Sequence, residues 1–561
     1  MQGLVETMKT ALSAALQRAI ARAVDMGLMN KVELPDVIIE VPREKGHGDF
    51  ATNLAMQLAR EAKTAPRKIA EAVVQNLDLE GTRVERVEIA GPGFINFYLE
   101  PNWVLGVIPL IQKEDRNYGR LEAGNGRRVQ VEFVSANPTG LLHMGNARGA
   151  ALGDSLAAIL DYAGYRVSRE YYINDAGNQI ENFGKSLEVR FLQQLGQDIS
   201  MPEEGYHGED ITDTVKGYLE KHGAALAEAD GEARRKTLAA YALQEKLTNI
   251  RNTLLDFGVV YDEWFSEQSL HDSGAIQRAL EELQARGYIY EHENALWFKA
   301  TEFGDEKDEV VIRSNGIPTY FAADIAYHKN KFERGFDWVI DIWGADHHGH
   351  VNRMKGSVEA MGYNRDNLHI ILMQLVRLYR GGEIVRMSKR TGQFVTLEEL
   401  VEEVGRDAAR YFFVMRSPDS HLEFDLDLAK SQTNDNPVFY IQYAHARICS
   451  ILRQLQEQGG QVPPVEQVDL AVLTEQAELD LLRKLADFPN EVASAAELLA
   501  PHRIARYMHD LAGLFHSFYN SHRVITGDEA LSRARLVLVD CVRMVLRNAL
   551  GLLGLTAPEK M

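Results

Sequence analysis

Apolar residues recur every three to four positions over VETMKTALSAALQRAIARAV near the amino end, the spacing of an amphipathic helix. NLAMQLAREAKTAPRKIAEAVVQNL repeats that spacing, whereas KVELPDVIIEVP and RVERVEIAGPGFINFYLE alternate in the manner of strands. Residues 1–113 therefore read as an α+β domain. A charged, glycine-bearing stretch, EDRNYGRLEAGNGRR, marks the way out of it. From 114 to 435 strand and helix patterns alternate, as a parallel sheet with crossover helices requires. RVQVEFVSA alternates, NPTG is turn chemistry, and ALGDSLAAILDYAGY returns to helical spacing until Gly164. Later, DWVIDIWGADHHGH closes an apolar strand on Gly344, and LHIILMQLVRLYRGGEIVRMSKRTGQF runs strand, GG turn, short strand and basic loop. Thr396 and Glu399 in TLEE have the spacing of a helix capping box. Residues 436–561 are helical almost throughout, broken by QEQGGQVPP, so the third domain is expected to be an all-helical bundle.

Composition narrows the possibilities. A chain of 561 residues exceeds what one hydrophobic core organises, which agrees with three domains. No run approaches the ~18 apolar residues of a membrane span, and the amino end reads as a helix rather than a signal peptide. A cytoplasmic protein without a membrane partner is expected. The two cysteines, Cys449 and Cys541, sit in apolar helical patterns and read as inert core thiols, which excludes a disulfide framework. The net charge of -20 argues against indiscriminate nucleic-acid binding. Its distribution says more: Lys and Arg stand against Asp and Glu as 15 to 16 over residues 1–120, 12 to 14 over 436–561, and 34 to 51 between them. Near-neutral ends can present basic faces to a polyanion, and an acidic middle suits a cationic small ligand.

The stretch SANPTGLLHMGNARG, residues 135 to 149, joins a strand's carboxyl end to a helix's amino end. In an open α/β sheet that crevice binds ligands, and unpaired helix N–H groups attract phosphate. Gly140 and Gly145 remove β-carbons that would hold a ligand away, and His143 adds a donor. Gly344 and Asp346 end another strand, where a carboxylate can accept from ribose hydroxyls. Lys389, on the basic loop, can meet a triphosphate as a point charge. Each motif alone reads more simply as a turn or a solvated loop; together they point to a nucleoside triphosphate. Asp346, His347, His348 and His350 look like metal ligands by composition. Consecutive residues near a strand end point in different directions, however, and a closed site needs four converging ligands, so no protein-held metal is expected.

His143-Met144-Gly145-Asn146 resembles the HIGH-type motif, and Met387-Ser388-Lys389-Arg390 the KMSKS-type loop, of class I aminoacyl-tRNA synthetases. Longer segments narrow the resemblance to the bacterial arginyl-tRNA synthetases: REKGHGDFATNLA, EIAGPGFINFYL, VEFVSANPTGLLHMGNARGA, YYINDAGNQI, GIPTYFAADIAYH, IDIWGADHHGHVNRMK, MRSPDSHLEFDLDLA and NPVFYIQYAHARICSIL. It covers essentially the whole chain. The fold class it implies is α/β: a Rossmann-type parallel-sheet catalytic domain at 114–435, an N-terminal α+β domain contacting tRNA at 1–113, and a C-terminal helical anticodon-binding domain at 436–561. Monomeric state also follows from it.

The implied reaction joins arginine to ATP as an adenylate and then to the terminal adenosine of tRNA(Arg), so the substrate supplies the nucleophile. By resemblance, His143 and Lys389 are catalytic at the triphosphate. The ATP site comprises Gly145, Asn146, Gly344, Asp346, His347, Met387, Ser388 and Lys389. Asp324 takes the guanidinium beside Tyr320, while Glu132, Asn137 and His347 hold the rest of the L-arginine. Mg2+ is expected to be bound mainly through ATP. Asn146 departs from the usual histidine; an amide can donate to phosphate but cannot carry positive charge. That departure favours a non-catalytic tRNA-binding paralogue, against which the retention of His143, Lys389, Asp346 and Asp324 speaks; a separate alternative is a ligase of the same superfamily for a different amino acid. For RNA, Arg503, Arg506, Tyr507, His516, Tyr519, Arg523, Arg543 and Arg547 are the candidates, of which about a third are expected to make contact. The resemblance also implies that tRNA binds before arginine is activated.

Overall fold

Five parallel strands run through the middle of the protein: β1 (Arg128–Glu132), β2 (Arg166–Ile173), β3 (Glu263–Ser266), β4 (Trp338–Gly344) and β5 (Leu368–Met373). Their order across the sheet is β5-β4-β1-β2-β3, every neighbouring pair parallel. The chain enters at β1, proceeds one way to β3, then returns to the other side of β1 for β4 and β5. The order therefore reverses between β1 and β4, the switch point where open α/β sheets leave a crevice at the strands' carboxyl ends. The computed structural model describes residues 3–33, 36–42, 44–385 and 395–561.

Helices cover both faces. α1 (Met144–Tyr162) connects β1 to β2 and buries Ala147, Ala150, Ala151, Leu156, Ile159 and Leu160. α2 (Tyr320–Glu333) precedes β4 and buries Phe321, Ile325, Tyr327 and Phe332. Between β2 and β3 the chain inserts three helices, Asn178–Gln194, Glu209–His222 and Gly231–Asp256, which form a separate core around Phe183, Phe191 and Leu238. The expected hairpin after β5 is present: Val376–Arg380 pairs antiparallel with Glu383–Val385 across Gly381 and Gly382. Both glycines have positive φ, 58° and 80°, as a tight two-residue turn demands.

The amino-terminal unit combines helices Leu4–Asp25, Leu54–Ala62 and Pro66–Gln75 with a three-stranded antiparallel sheet, an α+β unit as expected. Two details differ from the pattern reading. The second helical run breaks at Lys63, which turns left-handed (φ 49°) before Pro66 starts a new helix. Among the described residues of the KVELPDVIIEVP stretch only Glu40 bridges, to Ala51, and Ile38 and Val41 are exposed, so the alternation of those residues is not matched by a partner strand. The carboxyl-terminal unit is helical: Pro437–Glu457, Gln476–Ala486, Phe488–Glu497, His502–Ser521 and α3 (Glu529–Leu552). Arg410, fully buried, ties it to the parallel-sheet unit by donating to the Leu553 carbonyl and to Asp154 of α1.

Thr396 caps the helix Leu397–Val404 as expected: its hydroxyl accepts from the Glu399 N–H at 3.1 Å, and Glu399 accepts from the Thr396 N–H at 3.0 Å. Replacing Thr396 by alanine should cost about 1 kcal/mol. Hydrogen exchange should then quicken about fivefold over 397–404. Unchanged protection there would show that the cap contributes nothing.

Candidate active site

α1 begins at the switch point. His143 is its N-cap: its Nδ1 accepts from the Gly145 N–H at 3.1 Å, and its own N–H donates to Asn146 Oδ1 at 3.1 Å. Because Nδ1 accepts, the proton of the neutral imidazole sits on Nε2. The ring reaches solvent, yet the protein crowding it pushes the pKa below the usual histidine range, which favours that neutral form. A β-carbon at Gly145 would lie 3.0 Å from the His143 ring, so glycine lets the cap close. At Gly140 a β-carbon would meet nothing within 4 Å, so that position is open rather than packed. Arg148, on the same helix and fully buried, donates to the carbonyls of Gln374, Ser417 and Ser420 and so locks α1 against the end of β5.

Across the crevice, β4 ends at Gly344. A side chain there would collide with Asp346, whose Oδ1 would lie 2.4 Å from the added carbon. Asp346 and His347 are exposed and 3.7 Å apart, while His350 turns back toward Asp324. Among the described residues no group of three or more His, Cys, Asp or Glu is arranged to hold a metal ion. Met387, Ser388 and Lys389 lie outside the described residues. The flank that follows them is fixed: Thr396 bridges to His143, and the Leu397 N–H donates to the Leu142 carbonyl at 2.8 Å.

Between β1 and α1 the backbone is strained. Val134 and Ser135 have φ of 71° and 40°, a region that a β-branched residue enters only under constraint, at a cost on the order of 1–3 kcal/mol each. The bonds that impose it are visible. Ser135 Oγ donates to Glu132 and accepts from the Tyr172 N–H, and the Tyr171 hydroxyl donates to the Ala136 carbonyl. This turn delivers Asn137, exposed, to the crevice, where its Oδ1 accepts from Asn174 at 2.8 Å.

Next to it lies an acidic pocket. Tyr320, half exposed, opens α2 beside Gly177. One turn on, Asp324 meets His350 Nε2 at 3.2 Å and keeps about a third of its side chain open. Glu267, just beyond β3, is only 3% exposed, and its Oε2 has no hydrogen-bond partner among the described residues. Burial, with Asp324 and Asp175 adding negative charge, pushes its carboxyl up to about 7 against a hydrogen bond from Tyr172. A buried carboxyl oxygen without a donor, next to a second carboxylate, can take either a proton or a cationic partner. Sequence reading missed Glu267; its signal was a carboxylate directly following a strand's carboxyl end.

Glu132, expected at the amino-acid end of the arginine site, is buried and already paired. It is 7% exposed, with one oxygen accepting from Lys331 at 2.6 Å and the other from Ser135 at 2.8 Å. Lys331 also donates to Asp341 at 2.7 Å. Burial lowers the pKa of Lys331, but Asp341 and Glu132 outweigh it and leave a stable ammonium. Burial likewise raises Asp341, yet Lys331 and His328 hold it at about 2.

Among the RNA candidates, Tyr507 and His516 prove to be core residues. Tyr507 is 1% exposed and donates to the Lys484 carbonyl; His516 bonds the Tyr440 carbonyl. Arg503, Arg543 and Arg547 pair with Glu491, Asp540 and Asp115. Arg506 and Arg523 stay exposed. A helical period alone cannot say which face is covered.

Family models match almost end to end: the arginyl tRNA synthetase N terminal domain at residues 6–99, the catalytic domain of class I (R) tRNA synthetases at 108–425, and the DALR anticodon binding domain at 441–561. The switch-point sheet, the capped histidine at its crevice and the helical module behind it are thus those of a class I aminoacyl-tRNA synthetase. The arginine–tRNA ligase of Desulforamulus reducens is 82% identical over 561 residues and that of Heliobacterium modesticaldum 64%, both alignments covering at least 99% of either chain. The solved arginyl-tRNA synthetase of Thermus thermophilus superposes with a TM-score of 0.74 at 25% identity, over 98% of this chain and all of that one. The chain belongs to the arginyl-tRNA synthetase family.

Proposed function

We infer that the protein is an arginine–tRNA ligase, which activates L-arginine with ATP to arginyl-adenylate and pyrophosphate and passes the arginyl group to the terminal adenosine of tRNA(Arg). One observation carries the choice of amino acid: Asp324 and the buried, underbonded Glu267 form an acidic pocket beside a nucleotide crevice. A planar guanidinium can bond both carboxylates, and their unpaired charge rejects a neutral side chain.

Position supports the roles of the described residues, and the resemblance alone supports those of Met387, Ser388 and Lys389. His143 donates from Nε2 to the triphosphate, where a neutral donor can strengthen as charge builds, and Lys389 supplies the positive charge. Gly145, Asn146, Gly344, Asp346, Met387 and Ser388 surround ATP, with His347 between ATP and arginine. Asn146 spends its oxygen on the helix cap and keeps its amide N–H groups for a phosphate or ring oxygen. Tyr320 and Asp324 take the guanidinium, while Asn137 and Glu132 hold the amino-acid end. Magnesium is held by the phosphates and water. The domains divide at 113 and 435, and the helical module reads the tRNA. No helix among the described residues is long and apolar enough to cross a membrane, and the same reading makes the protein a cytoplasmic monomer.

Arginine-dependent exchange of pyrophosphate into ATP tests this. Exchange that requires tRNA(Arg) supports both the ligase and the order of binding; exchange without tRNA keeps the ligase and discards the order. Absence of exchange from folded, tRNA-binding protein would favour a non-catalytic paralogue and make Asn146 the suspect.

A further inference from the structure

Beneath the amino-acid pocket four ionisable side chains form one continuous buried chain. Glu132 accepts from Lys331, Lys331 donates on to Asp341, and Asp341 Oδ2 lies 2.8 Å from His328 Nε2. His328 Nδ1 in turn lies 2.7 Å from the Asp324 backbone carbonyl. Exposures are 7%, 0%, 0% and 2% for Glu132, Lys331, Asp341 and His328. Both ring nitrogens of His328 face acceptors, so the ring bonds both only when each carries a hydrogen.

Such an arrangement is a poor way to gain stability, because desolvating ions costs as much as their attraction returns, and apolar residues of the same volume often do as well. What the chain does achieve is geometric. Its first link is the carboxylate at the end of β1, held by the strained turn that presents Asn137. Its last link is the carbonyl of Asp324, whose own carboxylate opens into the acidic pocket. β1 and β4 are locked by their ladder, with Glu132 opposite Asp341. Lys331 and His328, three residues apart on the buried face of α2, tie the register of that helix to the pair, while Tyr327 and Arg334 tie it to Glu170 of the neighbouring β2.

We propose that Lys331, with His328 and Asp341, is a positioning residue that fixes the distance between the two ends of the amino-acid pocket and thereby measures the length of the substrate side chain. The proposal rests on the reading above, in which Glu132 serves the amino-acid end and Asp324 the guanidinium. None of the three residues needs to touch arginine. Lysine suits this position because a compact ammonium with three donors can bond both carboxylates at once from one point.

Steady-state aminoacylation by the full chain at saturating tRNA(Arg) tests it, with arginine and an analogue one methylene shorter. Lys331→Met should raise the KM for arginine at least tenfold, leave the KM for ATP within twofold and kcat within threefold, and cut the preference for arginine over the short analogue about tenfold. Lys331→Arg, which keeps the charge, should recover part of the loss. A folded Lys331→Met enzyme whose arginine KM stays within twofold, or whose ATP KM rises equally, would overturn the proposal. If Lys331→Met does not fold, His328→Gln decides: it can still donate to Asp341 but gives up the Asp324 carbonyl, and it must show the same split between arginine and ATP. Failure of both variants to fold would make the chain a structural element only and overturn the proposal. A wild-type enzyme that charges no arginine in this assay would count against the ligase reading instead.

Discussion

Replacing Asp324 by asparagine should lower kcat/KM for arginine about a thousandfold, roughly 4 kcal/mol, while the KM for ATP changes less than about threefold. The variant keeps the side chain's size and can still bond His350, so the pocket's shape survives. What disappears is one of the two negative charges proposed to face the guanidinium, together with the charge-assisted bonds it would make. Glu267 cannot compensate from its buried position, because bringing the cation to a single carboxylate leaves guanidinium N–H groups without acceptors. Steady-state pyrophosphate exchange, varying arginine and ATP in turn, measures both constants. A fall of less than tenfold, or an equal rise in both KM values, would remove Asp324 from the guanidinium site.

The second large effect concerns Glu267 and pH. In the empty pocket its carboxyl titrates near 7, well above the 4.5 of an open glutamate, so at neutral pH it is about half protonated. Arginine needs the carboxylate and should therefore expel that proton on binding. Affinity should rise about tenfold between pH 6 and pH 8, steeply below 7 and flat above it. Titration calorimetry in buffers of different ionisation enthalpy would count the released protons. Glu267→Gln should weaken binding about a hundredfold at pH 8 and abolish the slope.

Stability must move the opposite way. A carboxyl whose folded pKa is raised binds more protons in the native state between about 4.5 and 7, so its contribution is lost as pH rises through that window. Glu267→Gln should thus melt at a higher temperature than the wild type at pH 8, by a stabilisation on the order of 3 kcal/mol. A variant that binds arginine normally, or is no more stable at pH 8, would show that Glu267 is an ordinary buried acid.

Local chemistry wrote much of this protein into its sequence. The helix start at His143, the double-glycine hairpin and the Thr396 capping box depend on a few adjacent residues, so they can be read without knowing the fold. Alternation of strand and helix likewise announces a parallel sheet, because a parallel pair needs a crossover. Alternation near Ile38 misled for the complementary reason: a strand needs a partner, and whether one lies alongside is not a local property.

The order of the strands, with its reversal between β1 and β4, came only from the tertiary structure, and so did everything that depends on which face of an element is covered. Tyr507 and His516 have the residue types of an RNA surface and lie in the core, while Glu267 is one acidic residue among many until folding buries one of its oxygens away from any donor among the described residues. Lys331, 199 residues from Glu132 along the chain, shows the limit most plainly. Residue type and spacing by themselves determined most of the helices, the sheet class and the local caps and turns, because those follow from neighbours along the backbone. Burial and the pairing of distant charges were decided by the tertiary fold, because desolvation and Coulomb energy depend on distance in space.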